Sequence, residues 1–138
     1  MNPDDPEFVS AFTAFLGVEL AESGDDFVRL VLDTDDRHTR SEGDVHEGVV
    51  LAMMDSALGM AIRLKRGIEA STESPHATIE MSASLIRPVQ PGERLIVEGR
   101  VSNVGELLAT GEAEARRASD DEVVAVSRLT FVIPNRGG

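Results

Sequence analysis

The sequence has no cysteine, no tryptophan and no tyrosine among its 138 residues. The absence of cysteine excludes a disulfide framework, thiol catalysis and zinc sites held by cysteine. Base stacking on nucleic acids would rest on the five phenylalanines alone, and these lie in the N-terminal segment or on apolar faces of predicted strands. The three histidines, His38, His46 and His76, show no spacing that would gather them, so we expect no metal site.

Positive charge is also scarce. The chain has 13 Lys and Arg against 25 Asp and Glu, for a formal net charge of −12, and Lys65 is its single lysine. Nucleic acids and anionic membranes bind basic surfaces, so we expect neither as a partner. The N-terminus MNPDDPEF lacks the pattern of a signal peptide, and no apolar run reaches about 18 residues. We therefore expect a cytoplasmic protein with one domain, residues 1–138.

Hydrophobic periodicity predicts two helices. A short amphipathic helix is expected over residues 6–16, before Gly17, with an apolar face formed by Phe8, Phe12 and Phe15. A nearly all-apolar helix is expected over about residues 47–65, with Gly67 as its C-terminal cap. The Ser/Thr/Glu-rich segment 69–75 that follows is expected to be a loop.

Alternation of apolar and polar residues predicts strands on both sides of the long helix. Before the helix, segments 17–21 and 26–33 are expected to form a hairpin. After it, short turn sequences join four segments, which we expect to form an antiparallel meander: 77–86, 94–102, 107–118 and 122–133. The long helix is the apolar element available to cover the apolar face of such a sheet. The sequence therefore predicts an α+β fold, a curved antiparallel sheet of five or six strands around a central helix.

Asp55 stands in the middle of the apolar stretch HEGVVLAMMDSALGMA, residues 46–61. Ser56 and Arg63 are the other polar side chains between residues 48 and 64, which are too few to indicate a solvent-exposed stripe. A carboxylate held in such surroundings is a candidate general base or nucleophile. The alternative is an ordinary surface residue of the helix.

The pattern His46-Glu47-Gly48, six residues and Asp55 resembles the signature of hotdog-fold acyl-CoA thioesterases, in which His-Gly-Gly precedes an acidic residue of the central helix. The specific resemblance is to the PaaI-like branch, which is related to 4-hydroxybenzoyl-CoA thioesterases. The segment ATIEMSASLIRPVQPGERLIVEGRV, residues 77–101, is similar to that family's strand with a Thr or Ser, an acid-Met pair, Arg-Pro and a Pro-Gly turn. The resemblance covers about residues 40–133. It implies a hotdog fold that hydrolyses acyl-CoA thioesters at a site shared across a homodimer, alone or within a homotetramer.

The resemblance also implies roles for particular residues. Asp55 takes the place of the catalytic carboxylate, and the backbone N–H at the start of the helix, at Glu47 beside Gly48, takes that of the oxyanion donor. Thr78 matches the hydroxyl residue of the strand. His46 precedes Asp55 by nine residues, so we expect it to fix the loop by hydrogen bonding and not to form a dyad with Asp55 in one chain.

Three positions depart from the family pattern. Glu47 replaces the first Gly of His-Gly-Gly, Arg40 stands where relatives often have Asn or Gln, and Gly59 stands where some have a hydroxyl residue. Arg40 is expected either to pair with Glu47 or to be solvated. These departures also leave room for a non-catalytic domain that binds acyl-CoA, and His46 leaves room for a hotdog hydratase or dehydratase.

The resemblance implies no cofactor, because CoA enters as part of the acyl-CoA substrate. Its phosphates require basic partners, and the arginines include Arg87 and Arg128. The turn formed by Asn103, Val104 and Gly105 matches a region that contacts CoA in relatives.

Overall fold

A computed structural model of the chain describes residues 8–134, which form a six-stranded antiparallel sheet and three α-helices. The elements are α1 Ala11–Leu16, β1 Glu19–Ser23, β2 Phe27–Asp33, α2 Glu47–Arg66, α3 Ile68–Glu73, β3 Ala77–Leu85, β4 Arg94–Val104, β5 Leu108–Arg117 and β6 Val123–Val132. The predicted α+β architecture, with a curved sheet around a long helix, is confirmed. No helix in this part of the chain is long and apolar enough to cross a membrane.

The α2 helix lies directly on the sheet because two strands carry glycine where the helix crosses them. A Cβ atom built on Gly99 of β4 would stand 2.4 Å from the backbone nitrogen of Leu58, and one on Gly111 of β5 would stand 2.5 Å from the Leu58 side chain. The helix side chains Met53, Met54, Leu58 and Ile62 are almost fully buried there. Each such side chain contributes about 1.5–3 kcal/mol of burial free energy. This close contact sets the position of every other residue of α2.

The strand order is β1-β2-β4-β5-β6-β3. The predicted hairpin of β1 and β2 and the meander of β4, β5 and β6 are confirmed. The placement of β3 in the meander is wrong, because β3 pairs with β6 at the far edge of the sheet. The connection over residues 86–93 is a crossover held by backbone bonds to other elements, including the N–H of Ile86 to Val124 and the N–H of Gly92 to Thr34.

The edge strand β3 exposes both of its faces within one chain. Ile79 is 58% exposed, and Leu85 is also exposed although it lies on the helix-facing side, opposite the buried Ala125. The expectation that one face of this strand is covered is therefore wrong for the single chain, because α2 packs mainly on β2, β4 and β5. A β-bulge between Thr78 and Glu80 shifts its register with β6.

The N-terminal helix is shorter than predicted. It begins at Ala11, where the side chain of Ser10 caps the N–H of Thr13, and Gly17 ends it. Residues 6 and 7 of the predicted range lie outside the described residues. The predicted common apolar face is also wrong, since Phe8 is buried before the helix begins whereas two aromatic side chains are exposed, Phe12 at 59% and Phe15 at 77%.

The long helix runs one residue beyond its predicted end, and Gly67 caps it as expected. The segment after Gly67, predicted as a loop, instead forms α3. This short helix is held by a buried residue, Ser71. Its backbone N–H donates to the carbonyl of Gly67, and its hydroxyl donates to the backbone carbonyl of Arg63 at 3.4 Å.

Candidate active site

The side chain of Asp55 lines a cleft of about 510 Å³ between α2, the start of β3 and the flanking helices α1 and α3. The hydroxyl of Thr78 donates a hydrogen bond to Asp55 Oδ1 at 2.5 Å. Ser56 and Arg63 line the same cleft, so the polar side chains of the apolar helix share one narrow face. That face is turned toward the cleft. The cleft brings together two of the predicted site residues, Asp55 of α2 and Thr78 of β3.

A chain of hydroxyl groups closes one side of this cleft. The hydroxyl of Thr13 in α1 lies 2.8 Å from that of Ser10 and 3.1 Å from that of Ser56 in α2. Thr13 is buried, and the guanidinium of Arg63 lies 5.7 Å from the centre of the Phe8 ring. These contacts fix the N-terminal segment of the described chain against α2.

His76 is a residue of this cleft that the sequence prediction did not select. Its Nε2 lies 2.9 Å from the carbonyl oxygen of Gly59, and its Nδ1 lies 2.9 Å from Arg66 Nη1. Burial lowers the pKa of His76, and the positive charges of Arg66 and Arg63 lower it further, while the bond to Gly59 and the charge of Asp55 oppose this shift. The available signal in the sequence was its position, two residues before Thr78.

The N-terminus of α2 forms a second group of predicted residues. His46 is the N-cap, and its Nδ1 accepts the N–H of Gly48 at 2.8 Å. A Cβ atom at Gly48 would stand 2.9 Å from that nitrogen, so glycine permits the cap. Because the N–H of Gly48 is occupied, the candidate oxyanion donor is the N–H of Glu47, for which residues 8–134 provide no hydrogen-bond acceptor.

Arg40 lies beside this helix end but binds Asp44 first. Its Nε and Nη2 atoms lie 2.5 and 3.2 Å from the two carboxylate oxygens of Asp44, whereas Nε is 3.8 Å from Glu47 Oε1. The hydrogen bond from Arg40 lowers the pKa of Asp44. The expected pairing of Arg40 with Glu47 is therefore present only as a long contact. Glu47, Arg40 and Arg87 line a groove of about 230 Å³, and Arg87 donates to the carbonyl of Val123 at 2.5 Å.

The Asp55 cleft and the group of residues around Glu47 lie at different positions along α2. Asp55 follows Glu47 by eight positions, which corresponds to about 12 Å along the helix axis. A thioester carbonyl that contacts the N–H of Glu47 is therefore out of reach of Asp55 in the same chain. His46 likewise does not line the cleft that contains Asp55.

The residues predicted to contact CoA are not brought to the Asp55 cleft. Asn103, Val104 and Gly105 lie at the β4–β5 turn. Val104 pairs with Ala109, Ala109 with Phe131, and Phe131 with Thr78, so Val104 and Thr78 are three interstrand spacings apart, or about 14 Å.

Arg128 points to the opposite face of the sheet. It lies there in a groove with Arg100 and the carboxylates Glu98, Glu112 and Glu114. Within residues 8–134, no three histidine or carboxylate side chains are grouped to hold a metal ion.

Comparison with known proteins gives a consistent result. A family model described as the thioesterase superfamily matches residues 42–124. A Halobacterium salinarum protein named "Putative esterase" is 33% identical over 129 aligned positions, which cover 86% of this chain and 81% of that protein.

Solved structures show the same fold at low identity. The PaaI protein of E. coli, from the phenylacetic acid degradation operon, has a TM-score of 0.81 at 16% identity, over 91% of this chain and 86% of that chain. A Streptococcus mutans protein bound to acetyl-CoA has a TM-score of 0.76 at 15% identity, over 86% of this chain and 89% of that chain. The sheet around the central helix is therefore the hotdog fold.

Proposed function

Because the chain belongs to the thioesterase superfamily, as the sequence resemblance predicted, we propose that it hydrolyses acyl-CoA thioesters to the free acid and CoA. The acyl groups in this proposal are aryl groups or short to medium aliphatic chains. The acetyl-CoA bound to the Streptococcus mutans protein of the same fold supports CoA as the thiol. CoA is part of the substrate, and the reaction needs no resident cofactor.

The observation that carries the proposal is Asp55, a half-buried carboxylate in a cleft, with Thr78 bonded to one of its oxygens. In the proposed reaction the other oxygen takes a proton from water as the water oxygen attacks the thioester carbonyl carbon. The C–S bond then breaks, CoA leaves as the thiolate, and the thiolate takes up a proton. In the alternative, Asp55 attacks the carbonyl carbon as nucleophile, the C–S bond breaks to release the CoA thiolate, and water then hydrolyses the mixed anhydride to the free acid and Asp55.

The negative charge that develops on the carbonyl oxygen needs a hydrogen-bond donor to stabilise it. The N–H of Glu47, at the positive end of α2, has the required character but lies about 12 Å along the helix from Asp55 of its own chain. We infer that a second copy of the chain supplies it. Two features of β3 support an interface between two copies at this strand. Its apolar side chains are exposed, and it is an edge strand, on which a second chain can bind.

The test of the carboxylate is release of free thiol from a panel of aryl and medium-chain acyl-CoA esters. Asp55→Ala is expected to lose at least about a hundredfold in kcat, as for removal of a general base. Asp25→Ala, at an exposed carboxylate in the β1–β2 turn, is the matched control and should keep the native rate. Equal activity in the native protein and Asp55→Ala would refute the proposal, and binding of the esters without thiol release would indicate a non-catalytic module instead.

The oxyanion donor has its own test. Glu47 is the first residue of α2, a position that accepts proline, and His46 has the extended backbone that a residue before proline adopts. Glu47→Pro therefore removes the N–H and keeps the helix, and we expect kcat to fall about 10²–10³-fold. Glu47→Gly changes the same side chain but retains the N–H, so it separates the two effects. Unchanged kcat in Glu47→Pro would exclude this N–H as the donor.

A further inference from the structure

His76 joins the start of β3 to α2 through both nitrogens of its ring. Arg66 can only donate, so the Nδ1 atom that it contacts is the acceptor and the proton of the neutral ring is on Nε2. The Nε2–H then donates to the carbonyl of Gly59. The edge of the ring also packs on Phe131 of β6, with the ring centres 5.4 Å apart. The neutral form with the proton on Nε2 satisfies every polar contact that the ring makes in residues 8–134.

The two contacts of this strand start lie on one turn of α2. Gly59 follows Asp55 by four residues, and Thr78 follows His76 by two. The bond from His76 to Gly59 and the bond from Thr78 to Asp55 therefore fix the same short segment at two points. The pairing of β3 with β6 is interrupted by the bulge immediately after Thr78, and no other strand of the described sheet pairs with β3. His76 therefore acts together with the pairing of Ala77 and Thr78 on β6 to set how closely Thr78 approaches Asp55.

We propose that His76 is a positioning residue, which in its neutral form holds Thr78 against Asp55 and so orients the carboxylate. This inference rests on the proposed function, in which Asp55 acts on water or on the thioester. Thr78 occupies Oδ1 and leaves Oδ2 for the reacting group.

Protonation of His76 would reverse the contact with Arg66, whereas Nε2–H would still donate to the carbonyl of Gly59. A proton on Nδ1 would face the N–H group of Arg66, so that two donors and two positive charges meet where a hydrogen bond was. The charged groups that face the ring come from α2 and are Arg66, Arg63 and Asp55, whereas β6 presents Phe131 and α3 lines the cleft with Ser71 and Thr72. Burial and the two arginines favour the neutral ring, so the positioned state persists at mildly acidic pH.

The experiment measures kcat and KM for thiol release from pH 5 to 8 in four proteins. The native protein should lose kcat below the ordinary histidine pKa of about 6.5. His76→Gln, whose amide donates to Gly59 but does not titrate, should keep most of kcat and lose this acid limb. His76→Phe, which keeps the ring but makes no hydrogen bond, should lower kcat about tenfold at every pH with little change in KM, the value of one hydrogen bond of about 1.4 kcal/mol. Arg66→Met removes both the donor and the cation that face Nδ1, so the acid limb of kcat should weaken although the pKa of His76 rises.

Each outcome decides between the alternatives. Retention of the native acid limb in His76→Gln, or native kcat in His76→Phe, would overturn the positioning role. Thermal unfolding of each variant shows whether a loss of kcat comes from unfolding, and a folded His76→Gln with the native profile is decisive. A native protein that releases no thiol from any ester refutes the proposed function instead. NMR titration of the His76 ring, with and without Arg66→Met, then still shows whether the ring makes the contacts described.

Discussion

Gly99→Ala should destabilise the protein by forcing α2 away from the sheet. The new Cβ would stand 2.4 Å from the Leu58 nitrogen and 2.6 Å from the Ala57 carbonyl carbon, and both are backbone atoms of α2. A side chain can rotate away from such a contact, but a helix backbone must move as a whole. Restoring an ordinary separation of about 3.4 Å requires α2 to shift by roughly 1 Å from β4, against close-packed surroundings.

The expected loss of stability is about 2–4 kcal/mol, at the upper end for overpacking because the contact is with backbone. For a chain of this length that corresponds to a fall in Tm of roughly 10 °C. The same shift would move Asp55 away from Thr78 and from any substrate positioned by the sheet. A displacement of about 1 Å can lower the rate about a hundredfold, so we expect kcat to fall even at temperatures where the variant is folded.

Gly59→Ala is the matched control, because it adds the same methyl group on the helix side of the contact between α2 and the sheet. Its Cβ would meet the Phe131 ring at 3.5 Å, an ordinary contact, and alanine favours a helix over glycine by about 1 kcal/mol. Urea unfolding should therefore show Gly99→Ala destabilised and Gly59→Ala unchanged or stabilised. A native unfolding midpoint for Gly99→Ala would refute the direct contact of helix and sheet on which these values rest.

Three further predictions follow from other parts of the structure. Glu47→Gly removes a carboxylate beside the proposed oxyanion donor, so it should raise kcat or broaden the acyl range in the thiol assay; a large fall would assign this carboxylate a positive role. Ile79→Lys places a charge on the exposed edge strand and should give a stable, inactive monomer by sedimentation, with activity returning as the protein concentration rises; an active monomer would contradict the shared site. Because His76 has a lower pKa when folded than when unfolded, its contribution to stability is complete above about pH 6.5 and is lost as the pH falls toward the folded value, so the urea midpoint of the native protein should fall more than that of His76→Gln over this range.

The sequence predicted the elements whose signals are local. The long helix was recognised from its apolar pattern and from Gly67, and it is found at Glu47–Arg66. The strands were recognised from alternation, and their ends differ from the prediction by only one or two residues. Local backbone preference and side-chain pattern act together in these segments, so no tertiary contact was needed to predict them.

The errors concern features that depend on distant contacts. The turn chemistry of PVQPGE indicates a bend but not the strand that follows it, and β3 pairs with β6 across a crossover. The composition of residues 69–75 is typical of a loop, yet α3 forms there because Ser71 is buried against α2. Phe12 and Phe15 fit the helical period but face solvent, since Phe8 alone of the three reaches the core.

The candidate site divides in the same way. Asp55 and Thr78 could be paired from the family resemblance, and the structure brings them to 2.5 Å. His76 could not be selected, because its two partners, Gly59 and Arg66, both lie on α2. They come close to the His76 ring only when the start of β3 packs on that helix. A histidine in isolation carries no sign of the atoms that will face its ring.

The distance between Glu47 and Asp55 on one rigid helix has a genetic consequence. Under the proposed arrangement each site takes its carboxylate from one chain and its backbone donor from the other, so Asp55→Ala and Glu47→Pro disable different halves. A heterodimer of these two inactive chains contains one site with both defects and one site with neither. Mixing and reassociating equal amounts should make half of the dimers mixed, and about a quarter of the native activity should return from two proteins that have almost none. Two damaged copies of the gene could thus complement each other in one cell.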